Sequence, residues 1–127
     1  MAESSSKLHE KGLSAETVDR HRAIVSLMEE LEAVDWYDQR VEAATNPELR
    51  AVLAHNRDEE KEHAAMVLEW LRRNDAGFDL HLRTYLYAKG PIVEVEESET
   101  NGKGKAATNG AGSDGSLGIG SLREVRR

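Results

Sequence analysis

A chain of 127 residues with a formal charge of −7 and no cysteine is bounded to one small domain. It holds no disulfide and no thiolate metal site, a rubredoxin-type iron centre included. Most of the acidic excess falls before Pro91, which opposes nucleic-acid binding, a task for basic patches. The opening MAESSSKLHEKG is polar and no run nears the ~18 apolar residues of a membrane helix, so neither a signal peptide nor a span is expected and the cytoplasm is the expected setting.

In chain order, residues 1–13 read as a loose polar arm. Ser14 is placed to cap a helix, with Glu16 and Asp19 near its positive end. Nothing breaks that helix before about Ala44, a rod of ~45 Å. Asn46 caps the next one and Pro47 opens it, where a missing N–H costs nothing. This second helix runs to about Arg73, with two arginines at its negative end. Asn74-Asp75-Ala76-Gly77 reads as a turn, followed by a short amphipathic helix from Phe78 to Tyr87 and a stop at Gly90-Pro91. The spacing thus predicts an all-α domain over 14–91, an antiparallel two-helix hairpin plus one short helix. Such a unit buries too little alone and needs a partner. Beyond it, residues 92–115 are rich in Gly, Ser, Thr, Asn and charge, which predicts a disordered linker. Residues 116–127 close the chain with an apolar cluster, Leu117-Gly118-Ile119-Gly120-Ser121-Leu122, and a basic end. Apolar residues at the tip of a solvated tail read as a docking peptide.

Helical spacing through Glu30 also takes in Leu27, Val34, Tyr37 and Val41. A carboxylate inside an apolar stripe is costly to desolvate without a partner. The second helix repeats the pattern: Leu53, Glu60, His63 with Ala64, Val67 and Leu71 share a face. Glu60 and His63, three residues apart, can approach one ion. Singly, each has a plainer explanation, a Glu at a stripe's edge and a core His bonded to a carbonyl. Two such stripes facing one another favour ligands. A ferritin-like bundle takes one Glu from each of two helices and a Glu-x-x-His pair from each of the other two. This chain carries half of that set, so the expected completion is a two-fold dimer forming a four-helix bundle with the site across its interface. Two chains supply four carboxylates, enough to balance two divalent cations, and two imidazoles. Without metal the carboxylates repel or take up protons, which links metal binding to assembly. Such ligands suit Fe, Mn, Zn or Co; with iron the site would be a ferroxidase.

Glu29, Glu32, Asp35 and Asp38 on the first helix and Glu59 and Glu62 on the second form either a solvated acidic face or a cation entry path towards Glu30. Trp36, Tyr37 and Trp70 read first as packing residues. Tyr37, beyond Glu30 and Val34, is also placed to hydrogen-bond a ligand or lend an electron. His9, His21, His55 and His81 lie off the stripe. His55 and Glu59 have a haemerythrin-like spacing without the further histidines that chemistry needs.

Met28–Arg40 (MEELEAVDWYDQR), His55–Asn74 (HNRDEEKEHAAMVLEWLRRN) and Ser116–Arg123 (SLGIGSLR) resemble the encapsulated ferritins, two-helix ferritin-like ferroxidases packaged inside encapsulin nanocompartments. The resemblance covers about Ser14 to Pro91 and the tail tip. It implies iron oxidation with O₂ at a dimer interface, two Fe per interface, with Glu30, Glu60 and His63 as ligands and Tyr37 beside them. It matches Glu29, Glu32 and Trp36 to an entry-type metal site, where Ca or Zn are further occupants. It also implies a ring of five dimers and cargo loading through Ser116–Arg123, whose short apolar motif gains strength from many copies. Two other readings stay open: a rubrerythrin-like peroxidase, weakened by the absence of cysteine, and a non-enzymatic scaffold stapled by Zn or Ca.

Overall fold

The computed structural model describes residues 7–108. They form four helices: α1 (Ala15–Ala43), α2 (Pro47–Arg73), α3 (Ala76–Tyr85) and α4 (Ile92–Thr108). No strand occurs among the described residues, so the expected all-α class holds. The chain divides into two compact units, Met1–Asn74 and Asp75–Arg127.

The first unit is a helical hairpin. Before it, residues 7–13 are non-helical and mostly exposed. Ser14 adopts an extended backbone and its Oγ accepts the Thr17 N–H at 3.1 Å. Asn46 does the same for α2, accepting the Leu49 N–H at 2.9 Å with Pro47 in the first turn. Each cap satisfies a donor the helix leaves open, an effect of about 1 kcal/mol. At the far end of α2, Glu69 pairs with Arg72 at 2.8 Å and Arg73 at 2.7 Å. These two guanidiniums hold the Glu69 carboxyl down at about 2.

The three-residue connection between α1 and α2 forces them to run antiparallel, and their cross-helix partners follow that ladder. The Arg50 Nε donates to the Val41 carbonyl at 3.0 Å. Arg57 bridges to Asp38 at 2.9 Å. Further along, His63 meets Glu30. Little of this unit is fully covered. Ala64 and Leu71 are the buried apolar side chains among the described residues. Ile24, Met28 and Leu31, spaced along one side of α1, are 41%, 43% and 54% exposed, and Met66 on α2 is 63% exposed. Apolar residues at helical spacing on an open side mark a face built to be covered.

In the second unit α3 starts two residues earlier than the sequence reading placed it and stops at Tyr85 rather than Tyr87. Asp75 is not a turn residue but the N-cap, accepting the Phe78 N–H at 3.0 Å. Tyr87 lies outside the helix with φ of 64°, a left-handed conformation uncommon for a residue with a Cβ. Thr84 is buried, its hydroxyl donating to the Leu80 carbonyl at 3.0 Å.

The expected disordered linker is corrected over 92–108, which is helix α4. Its first turn is closed by the Val95 N–H donating to the Pro91 carbonyl at 3.1 Å. Pro91 leads into the helix without needing a donor, and Glu94, Glu96, Glu97 and Glu99 gather towards its positive end. The Gly, Ser and Asn content that reads as disorder is concentrated later in the segment. Residues 109–127, with the Ser116–Arg123 motif, lie outside the described residues, as do residues 1–6.

Candidate metal centre

The antiparallel ladder sets α1 and α2 so that Glu30 faces Glu60 and His63. The turn spacing of α2 puts Glu60 and His63 on one side. His63 Nδ1 lies 3.2 Å from Glu60 Oε1 and 3.8 Å from Glu30 Oε1. One ligand atom from each of the three lies within 4.8 Å of the others. Among the described residues this is the one trio of acidic and histidine side chains so placed.

The electrostatics follow from crowding two carboxyls and an imidazole together. A hydrogen bond to Glu60, then burial, then the Glu60 and Glu29 charges raise the Glu30 pKa, with His63 opposing. The same hydrogen bond lowers that of Glu60, aided by His63. Glu30 is therefore the donor in that hydrogen bond and Glu60 the acceptor. The hydrogen bond that His63 donates to Glu60, with the charges of Glu30, Glu60 and Glu59, raises the His63 pKa against the cost of desolvation. Two carboxylate oxygens and an imidazole nitrogen fit a divalent transition ion. The Glu30 and Glu60 side chains are about a quarter exposed and His63 about half. The cluster is therefore in part solvent-accessible, and three ligands leave a coordination sphere to be completed by further donors.

The remaining sequence-predicted residues are not gathered with this trio in one chain. Glu29 is exposed and Glu32 half-buried. Trp36 is half exposed, with the Arg40 guanidinium 5.8 Å from its ring centre. Tyr37 is half-buried and has the same guanidinium at 5.6 Å. The contact of Arg40 with both rings escaped the sequence reading, although spacings of three and four residues could have revealed it. His55 and Glu59 do meet, at 3.3 Å on the exposed side of α2, with no third ligand.

A hairpin offering one carboxylate from one helix and a Glu-x-x-His pair from the other has the ligand pattern of half a ferritin-like bundle. The chain belongs to the EncFtn-like family, whose model matches residues 5–89. It is 64% identical over 129 residues to the encapsulated ferritin-like protein of Rhodospirillum rubrum, covering 97% of this chain and 92% of that one. It is 31% identical over 86 residues to the encapsulin nanocompartment cargo protein EncC of Myxococcus xanthus, covering 68% and 61%. The crystal structure of protein ne0167 from Nitrosomonas europaea matches with a TM-score of 0.65 and 62% identity, over 67% of this chain and 96% of that one.

Proposed function

We propose that the protein is a ferroxidase. It oxidises Fe(II) to Fe(III) with O₂ at a site that two copies of the chain complete across a shared interface. The observation that carries this reading is the Glu30–Glu60–His63 trio, three ligand atoms within 4.8 Å of one another on an open side of the hairpin. Two-fold pairing brings a second trio against the first and supplies four carboxylates and two imidazoles for two iron ions.

Iron is the substrate here, and it supplies the electrons that reduce O₂. The protein's part is to hold the ions and balance their charge. Glu30, whose pKa is raised, is the harder of the two to ionise for metal binding, and Glu60, whose pKa is lowered, the easier. His63 is held towards both by its Nδ1. Tyr37, half-buried on the same helix as Glu30, serves as a hydrogen-bond partner or electron source beside the site. Glu29, Glu32 and Trp36 form an entry site for cations, open also to Ca or Zn. Pairs assemble further, as a ring of five dimers. Similarity to an encapsulated protein and to an encapsulin cargo protein supports delivery into an encapsulin shell in the cytoplasm. Ser116–Arg123 is the segment that binds the shell wall, and the shell stores the oxidised iron.

The test is aerobic Fe(II) oxidation followed by near-UV absorbance, for the wild type beside Glu60→Ala. Fast oxidation that drops to the protein-free rate in the variant supports the reading. Equal rates in both, no faster than without protein, overturn it and leave a metal-stapled scaffold.

A further inference from the structure

The second unit contains a cleft of about 540 Å³ between the end of α3, the connection after it and the first turns of α4. Tyr87, Pro91 and Val95 are among its apolar lining, and Glu94 and Glu99 line it from α4, with Lys89 as a cation on the connection. The Tyr87 side chain is 86% exposed and Leu86 44%. The first half of α4 carries Glu94, Glu96, Glu97 and Glu99 with no basic residue until Lys103. An apolar cleft flanked by carboxylates selects an occupant with aliphatic side chains followed by cations.

We infer that this cleft is the docking site for the chain's own C-terminal segment, Leu117–Arg127. Leu117, Ile119 and Leu122 supply the aliphatic groups, and Arg123, Arg126 and Arg127 follow them with one opposing carboxylate, Glu124. The reach is adequate. Glu99 precedes the last residue of α4, Thr108, by nine positions, ~14 Å of helix. From Thr108 the chain has nine residues to Leu117, a length that as a coil would span ~15–18 Å. Tethering keeps the segment at high local concentration, so a weak apolar contact suffices. Docked, the segment covers the exposed rim and is withheld from other partners. A shell would then compete for the same three aliphatic residues. That last consequence rests on the delivery reading; the docking does not, and it is independent of iron oxidation.

The absence of cysteine makes a direct test possible in the full-length protein. The double variant Val95→Cys/Ile119→Cys places one thiol in the cleft and one on the segment. The control Val93→Cys/Ile119→Cys has the same tether, but residue 93 lies on roughly the opposite side of α4, outside the cleft, and is 64% exposed. Under mild oxidation the cleft pair is expected to close a disulfide within one chain at least tenfold faster than the control. Adding Glu94→Lys/Glu99→Lys should abolish that advantage, and adding Arg123→Glu/Arg126→Glu to those should restore it. Equal rates for the two pairs would mean that the tether alone is responsible and overturn the inference. Covalent dimers from the cleft pair would also overturn it, showing that a second copy occupies the cleft. An advantage that survives charge reversal would overturn the electrostatic part of the argument.

Discussion

The hairpin and the α3–α4 unit are both helical, for different reasons. In the hairpin each helix is held by the other: Arg57 reaches Asp38, Arg50 caps the end of α1, and Leu71 is fully buried. α4 has no comparable cover. Ile92 and Val93 at its start are 73% and 64% exposed, and what favours helix there is local, a leading proline and acidic side chains near the positive end. Partnership leaves a face free for chemistry. Local propensity leaves a helix free to be covered later.

Substitutions can separate the two kinds of helix. The largest effect is expected on activity and not on fold. His63→Ala should bring Fe(II) oxidation down to the protein-free rate while far-UV circular dichroism stays that of the wild type, because this side chain is about half exposed. A parallel loss of helix would mean that His63 holds the hairpin together. Next, Leu71→Ala removes a fully buried side chain and should destabilise the protein by about 2–5 kcal/mol in urea denaturation. Asp75→Ala should lower the stability of α3 by about 0.5–2 kcal/mol, read as faster amide exchange in Phe78 and Asp79 than in the hairpin. Uniform loss of protection would show that the two units unfold as one. In α4, Gly102→Ala should raise helicity, a gain of about 0.5–1 kcal/mol; no change in ellipticity would mean that local propensity does not set this helix. The smallest effect concerns Glu69. Its carboxyl sits at about 2 when folded, below its unfolded value, so its contribution is present above about 4.5 and fades as pH falls towards 2. Wild type and Glu69→Gln should therefore differ in urea midpoint near neutrality and converge by the acid end of that window.

Much of the hairpin was legible in the sequence because its signals are local and periodic. Ser14 and Asn46-Pro47 announce the helix starts, and the spacing of Glu60 and His63 opposite a stripe through Glu30 foretells which side chains meet. Asp75 shows how composition misleads. Asn-Asp-Ala-Gly has the residues of a turn, yet an aspartate that can accept the N–H three residues on begins a helix equally well. α4 was hidden by Ser98, Asn101, Gly102 and Gly104, which weigh against helix on average although the residues that start it favour one. The contact of Arg57 with Asp38 joins two helices, and no periodicity within either reveals it.

Trp36 and Trp70, the chain's two tryptophans, both belong to the hairpin, on α1 and α2 respectively. The second unit has Phe78, Tyr85 and Tyr87. Indole emission from the unlabelled protein is thus an optical channel that reports from the hairpin. Half-exposed Trp36, six residues beyond Glu30 on the same helix, should respond when the open side of the hairpin is covered.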